Sequence, residues 1–351
     1  MAATTEYQQP PSKEQLARGQ SYAKYPRPFA DSRFIPVERQ NPLYRILSII
    51  GLFPPDPLHD KIPVKTGKVP IYHELTQCLH IYPAAVIPLV IRAVYQSRYG
   101  ENPSPFLMWS ILALTALMFG LSMIHRLNRM TLKYGYFDGA VLRDTVPKQD
   151  IMKVLVEVLG GVTLRPFFIV FLTYKQNQES TTLTPWLPLQ LFFFTLIEDF
   201  YYYWLHRMCH EVSTMWQFHR MHHTTKHPTQ LLLGYADEIQ EIFDLVIVPV
   251  MAWLTYPIDF DSLSIWFFIH LSIQLHGHSG IRIYYGTVLT GIFLRPIGLE
   301  LISEDHDIHH RFGWRNSCNY GKQSNVWDTL FGTRGERIEC KYENVDFSNH
   351  A

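Results

Sequence analysis

Imidazoles crowd one stretch of this chain. Between His206 and His310 lie 12 of its 17 histidines, and they come in sets with helical spacing. His206 and His210 stand four apart; His219, His222 and His223 form H-x-x-H-H; His306, His309 and His310 repeat that pattern. Residues three or four positions apart share a helix face, so each set can aim its rings at one point. Neutral imidazole binds iron, zinc, copper or nickel through a ring nitrogen. A tetrahedral metal takes four ligands, so these eight histidines point to a two-metal site. A lone pair such as His206/His210 carries little weight, because helices often hold hydrogen-bonded histidines. Two H-x-x-H-H units 87 residues apart, each beside an apolar hairpin, carry much more.

The elements that must position these sets are apolar. The chain has 351 residues and zero net charge, which gives no reason to expect nucleic acid. Hydrophobic residues make up 47% and aromatics 14%, yet mean hydropathy is only -0.05, so long polar segments must alternate with apolar ones. Cys78, Cys209, Cys318 and Cys340 form no C-x-x-C pair and no disulfide framework, which suits a reduced, cytosol-facing setting. The opening MAATTEYQQPPSKEQ has no charged region followed by an apolar core, so internal spans rather than a secretory signal are expected to direct the protein to a membrane.

In chain order, residues 1–70 hold 11 of the 23 prolines and read as an irregular, polar cytosolic arm. Within it, Leu43 to Phe53 is apolar and fits either a membrane surface or a buried anchor. A membrane helix needs ~20 mainly apolar residues. Leu75–Ile91 and Asn102–His125 meet that need as a pair of spans, followed by a polar loop, Arg126–Lys153, broken at Gly135, Gly139 and Pro147. Val154–Tyr174 is a weaker span, and Ser180–Ile197 is an uncharged run that ends at Glu198 and Asp199. Leu245–Ile258 and Ser262–Ile281 read as a hairpin that enters the bilayer without fully crossing it. From about Glu336 the chain turns polar and reads as a surface tail. The expected fold is therefore an all-α integral membrane helical bundle of about four to six apolar helices or hairpins, with a cytosolic His-rich di-metal cap. Four regions follow: the arm (1–70), membrane hairpins and loop (71–184), a His-bearing catalytic domain (185–333) and the tail (334–351). If the apolar stretches pair as hairpins, the arm, the Arg126–Lys153 loop, both histidine blocks and the C-terminus share one side, and the Lys and Arg there favour the cytosol. A soluble helical protein is the alternative; two uncharged runs of span length argue against it.

H-R-M-C-H, then H-R-M-H-H, then H-D-I-H-H followed by N-Y-G-K-Q-S-N-V-W-D-T-L-F-G-T resemble the fatty acid hydroxylase/sterol desaturase superfamily. Its members are integral membrane, non-haem di-iron oxygenases. The resemblance runs from about Pro185 to Thr333, and Glu198-Asp199 and the H-S-G turn at His278–Gly280 match as well. It implies metal ligation by His206, His210, His219, His222, His223, His278, His306, His309 and His310, with His276 as the alternative to His278. The chain departs from the pattern at one point: where many members carry a histidine in H-P-x-E, Y-A-D-E-I-Q-E places Asp237. Asp237 can ligate through oxygen or orient a ligand imidazole. His227 precedes Pro228 and is expected behind a ligand or beside the substrate. Asp328 either orients a ligand histidine or caps a last helical turn.

The resemblance implies two ferrous ions, O2 as co-substrate, and hydroxylation or desaturation of a C–H position on a hydrophobic, lipid-like substrate. Fatty acyl, sterol, sphingoid and terpenoid or polyketide-derived chains all fit. The run Phe192, Phe193, Phe194, Tyr201, Tyr202, Tyr203 and Trp204 either lines the substrate's route from the bilayer or packs against lipid and core. There is no haem-binding H-P-G-G element and no flavin or nicotinamide fingerprint. Electrons are therefore expected from separate membrane partners; the resemblance implies cytochrome b5 and its NAD(P)H-dependent reductase, at the endoplasmic reticulum with the site facing the cytosol. The rival is a zinc-binding transport or metal-handling protein, which would set its ionisable residues near the bilayer midplane. Here they fall at span ends. A zinc hydrolase needs only three protein ligands, fewer than the histidines present.

Overall fold

Two caps and a glycine set up the first hairpin of the bundle. His73 accepts from Leu75 N at 3.1 Å and starts a 26-residue helix, which Gly100 closes in the left-handed conformation. After four more residues Ser104 caps the next helix, with Pro105 in its first turn. The computed structural model describes residues 6–7, 42–56, 59–139, 141–178, 183–314 and 317–351.

Among these residues the helices are α1 (Pro42–Ile49), α2 (Glu74–Tyr99), α3 (Pro105–Tyr134), α4 (Ile151–Thr173), α5 (Leu187–Glu211), α6 (Ser213–His219), α7 (Glu238–Ile242), α8 (Val248–Thr255), α9 (Phe260–Gly277), α10 (Val288–Leu294), α11 (Ser303–Phe312) and α12 (Val326–Leu330). A π-helical stretch, Phe243–Ile247, joins α7 to α8. Two small sheets complete the chain. β1 (Glu6–Tyr7) pairs antiparallel with β2 (Pro63–Val64), and β3 (Val69–Ile71) pairs parallel with β4 (Val345–His350).

The protein is mostly helical. Three helices, α2, α3 and α4, are long and apolar enough to cross a membrane, and only 28–39% of each apolar window is buried inside the protein. Their outward faces carry residues such as Leu79, Val94, Leu114, Met118 and Val156, as lipid contact requires. The expected pair of early spans and the third weaker one thus form as helices. The polar loop is shorter than expected, since α3 runs on to Tyr134 before Gly135 stops it. At Gly135 a Cβ would lie 2.0 Å from the Pro63 carbonyl, so only glycine fits. Most of the proline-rich arm lies outside the described residues, as do positions 180–182 of the fourth apolar run.

The hairpin expected between Leu245 and Ile281 is present, but its second arm is the centre of the bundle. Every residue of α9 is buried, and the helix packs against α2, α3, α4 and α5. Its sequence, FDSLSIWFFIHLSIQLHG, carries apolar residues on all faces, as a helix surrounded by protein requires, with Asp261, His270, Gln274 and His276 among them. In lipid, helices gain little from hydrophobic burial, so packing and buried polar ties must hold them together. One such tie is Arg92 to Asp261 at 2.8 Å, with Asn102 beside it. Trp109 Nε1 donates to the Thr163 carbonyl at 2.9 Å. Both join legs far apart in sequence.

The polar C-terminal segment does not end as a surface tail. Cys340 and Val345 are buried, β4 joins β3, and Glu304 accepts from the backbone N–H groups of Ile338, Glu339 and Cys340. Unpaired backbone donors at a strand edge explain why a polar sequence still folds back here. The histidine-bearing ends of α5, α9 and α11 meet beneath this segment and the α3–α4 loop, where Arg143 pairs with Asp307 and donates to the Gly280 carbonyl.

Candidate metal centre

Local geometry splits two of the three histidine sets. α5 holds His206 and His210 on one face, four residues apart. α6 ends at His219, and a 3₁₀ turn over His222–Thr224 reorients the chain, so H-x-x-H-H here is not one continuous helix. On α11, His306 and His310 are four apart, while His309 lies about 100° around the helix from His310. The result is two groups. His206, His210, His219, His223 and His309 form one; His222, His278, His306 and His310 form the other, and within each the ligand atoms lie within 4.8 Å of one another. The expectation that each set serves one point holds for His206 and His210 and is corrected for the two H-x-x-H-H sets. Those two sets straddle both groups, because the helix breaks after His219 and because successive residues of α11 face different ways. The groups adjoin, with His223 stacked on His310 at 4.7 Å.

Hydrogen bonds fix the rings. The Nδ1–H groups of His206, His210, His309, His310 and His278 donate to the carbonyls of Tyr320, Trp314, Cys318, Thr225 and Gln274 at 2.7–3.0 Å. His219 Nδ1 donates to Gln240 Oε1 at 2.8 Å, and His222 Nδ1 lies 3.4 Å from the Tyr235 carbonyl. Carbonyls only accept, so Nδ1 carries the proton and Nε2 keeps a lone pair. Yet Nε2 of His206 faces Nε2 of His219 at 2.9 Å, and Nε2 of His278 faces that of His222 at 3.2 Å. Two lone pairs at that distance repel unless a cation lies between them. His210 Nε2 and His310 Nε2 are also buried without a partner, a cost of about 1–3 kcal/mol each that metal ligation removes. Burial, reinforced by neighbouring imidazoles, pushes His219 and His309 down to about 3, so the rings are neutral at pH 7 as ligation requires. The donor set therefore fits a divalent transition metal in each group. Five imidazoles on one centre exceed the four of tetrahedral zinc and favour an ion of higher coordination number.

Two carboxylates set up the loop behind the rings. Buried Asp199 accepts from the backbone N–H groups of Lys322, Gln323 and Ser324 and from the Ser324 hydroxyl. Asp328 accepts from Tyr320 N at 2.8 Å and Gly321 N at 2.7 Å, so it shapes the loop whose Tyr320 carbonyl orients His206. It neither touches a ligand ring nor caps a helix. At Gly321 a Cβ would meet the Ser324 carbonyl at 2.5 Å. This accounts for the N-Y-G-K-Q-S element and for the acidic lead-in.

Other expected residues sit elsewhere. Asp237 belongs to neither group; extended at φ −79° and ψ 146°, it caps α7 by accepting from Ile239 N at 3.0 Å, a usual duty of aspartate. The residue on that turn which touches a ligand is Gln240, and reading Asp237 as a cap would have pointed to it in the first turn. His276 stacks on Tyr285 at 4.0 Å and is outside both groups, so His278 is the member of the pair that joins. His227 is buried, with its backbone N–H on Asp144, and lies in neither group. Of the aromatic run only Tyr202 reaches the cavity described next; Phe194 and Tyr203 are core, while Phe193 and Trp204 are exposed. Replacing Gln240 by leucine is expected to weaken metal binding at the five-histidine group about 10–100-fold, as read by competition with a chelator.

A cavity of about 380 Å³ runs from the faces of α3 and α4 to His222 and His278. That is within the usual range of about 300–1,000 Å³ for small-molecule sites.

The fatty acid hydroxylase family model matches residues 191–333. The chain is 34% identical over 310 residues to the fatty acid hydroxylase vlmA of Lecanicillium sp, covering 81% of this chain and 84% of that one. It is 30% identical over 159 residues to methylsterol monooxygenase 2-2 of Arabidopsis thaliana, 45% of this chain and 57% of the relative. To alkylglycerol monooxygenase of Xenopus tropicalis it is 28% identical over 181 residues, 50% of this chain and 37% of the relative. No solved structure matches the chain. With one relative aligned over most of both chains and the histidine groups inside the matched region, this protein belongs to the fatty acid hydroxylase family and is a membrane oxidoreductase of lipids.

Proposed function

We propose that the protein is a di-iron oxygenase that hydroxylates or desaturates a C–H position of a lipid, with one iron in each histidine group. The observation that carries this is the pair of adjoining all-imidazole groups, one of which lines, through His222 and His278, a cavity that is apolar toward its mouth. His206, His210, His219, His223 and His309 would hold one ion, and His222, His278, His306 and His310 the other. Bound iron would supply dioxygen reduction and hydrogen abstraction, which no side chain can perform. The protein holds the rings through Gln240 and the loop carbonyls, and the apolar outer part of the cavity limits the entry of water toward the reacting carbon. Apolar residues of α3 and α4 offer an aliphatic chain a way in from the bilayer. The name of the vlmA relative favours a fatty-acyl substrate; sterol, sphingoid and terpenoid or polyketide-derived chains fit the same cavity chemistry.

Electrons come from NAD(P)H through a separate cytochrome b5 and its reductase, at the cytosolic face of the endoplasmic reticulum. Purified protein in nanodiscs is expected to bind two iron ions and to take up oxygen only with NADH, cytochrome b5 and reductase all present. Zinc binding without any reductant-dependent oxygen uptake would instead make it a metal-handling protein. Turnover with NADH alone would overturn the partner assignment.

A further inference from the structure

The cavity is apolar at one end and densely charged at the other. At its outer end, Ile50, Met152, Val156 and Leu159 line it while remaining 48–61% exposed, so this end is its mouth toward lipid. At its inner end, beside His222 and His278, the wall carries Arg165, Glu241, Asp244, Gln274 and Lys322. A site for a plain hydrocarbon chain has no need of such groups, and burying them is costly.

Most of this wall is internally paired. Lys322 Nζ lies 2.9 and 2.7 Å from the two oxygens of Asp244 and 4.4 Å above the Tyr202 ring. Arg165 donates to Gln274 Oε1 and to the Asp244 carbonyl. Two groups are left over. Arg165 Nε is buried without a partner, and the 9% exposed carboxyl of Glu241 makes no side-chain hydrogen bond among the described residues. Buried polar groups are nearly always hydrogen-bonded, so an orphan buried donor on Arg165, beside the Glu241 carboxyl that opens onto the same cavity, invites a polar ligand atom. The two cations, Arg165 and Lys322, are offset by Asp244 and Glu157 without any charge on Glu241, so the wall has no surplus positive charge to hold an anion. Burial, with Asp244 and Glu157 nearby, pushes Glu241 up to about 8, which leaves it protonated at pH 7 and able to donate.

We propose that the cavity takes its lipid head first: an uncharged hydroxyl or carbonyl group docks on Glu241 and Arg165, and the alkyl tail runs out toward the bilayer between α1, α3 and α4. Resting on the oxygenase reading, this places the oxidised carbon within a few bonds of the substrate's own oxygen, not in the middle of the chain. Glu241 and Arg165 are then specificity-determining residues.

The test uses the full chain in nanodiscs, with 1-dodecanol, dodecane and dodecanoate as probes in competition binding against tritiated dodecanol. Dodecanol is expected to bind at least tenfold more tightly than either of the others, a difference of about 1.4 kcal/mol. Glu241→Leu is expected to reduce dodecanol to the affinity of dodecane while leaving dodecane unchanged, and Glu241→Gln to keep most of the preference. Equal binding of dodecanol and dodecane by the unaltered protein, tighter binding of dodecanoate, or a preference for dodecanol that survives Glu241→Leu would overturn the proposal. The wild-type comparison decides even if a variant fails to fold. Iron content and reductant-dependent oxygen uptake, measured on the same samples, report on the oxygenase reading separately, since head recognition needs no turnover.

Discussion

His309→Ala is expected to weaken metal binding in the five-histidine group while sparing the four-histidine group, and to abolish product formation. His309 and His310 are neighbours in sequence, yet they serve different groups. Removing His309 takes one of five imidazoles, together with the ring that faces His223 Nε2 at 3.0 Å. The four-histidine group keeps all of its members. His310→Ala reverses the pattern: the five-histidine group stays whole and the other is left with three ligands. Changes behind a ligand typically cost 10–100-fold, so losing the ligand itself should cost at least about 100-fold in activity. Metal analysis alongside activity checks both parts. Retained activity in either variant, or loss of both ions in both variants, would rule out two separately held metals. Membrane accumulation should continue in each case, because α2, α3 and α4 are untouched.

Arg337→Ala is expected to destabilise the fold by about 3–5 kcal/mol, as breaking a buried ion pair from one side does. Arg337 donates from Nε and Nη2 to the two carboxylate oxygens of Asp305 at 2.8 Å, and from Nη2 to the Glu300 carbonyl. Asp305 is fully buried in the first turn of α11, the helix that carries His306, His309 and His310. Without the guanidinium its charge is left in a low-dielectric interior with only the Ile302 N–H and the Asn325 amide. Metal binding should therefore weaken together with stability. A lowered thermal midpoint that added iron partly restores would show the coupling, since a ligand bound only by the folded state stabilises it. An unchanged midpoint would mean that the pair contributes nothing.

The two groups also show how spacing was legible and assignment was not. Intervals of three and four identify residues that turn toward one side of a helix, and those intervals picked out every histidine of both groups except His278, which the resemblance supplied. They could not say which histidine belongs with which, because that depends on where α6 stops and how α11 is rotated. Asp237 illustrates the same limit. Its alignment with a family histidine was visible, but the helix begins one residue later, and capping consumes the carboxylate.

The sequence by itself determined the helices, since apolar run length, caps and glycine stops act locally: α2, α3 and α4 could be drawn from composition alone. It also pointed to a candidate metal site, because so many imidazoles at helical intervals have few other uses. Only the tertiary structure decided that α9 is central, that the polar C-terminal segment folds back onto the ligand helix, and that Arg165, Glu241 and Lys322, 157 positions apart at the extremes, meet beside His222. Those outcomes rest on contacts between distant segments. No local pattern encodes them, because a buried charge and an exposed one look alike until the chain has closed around them.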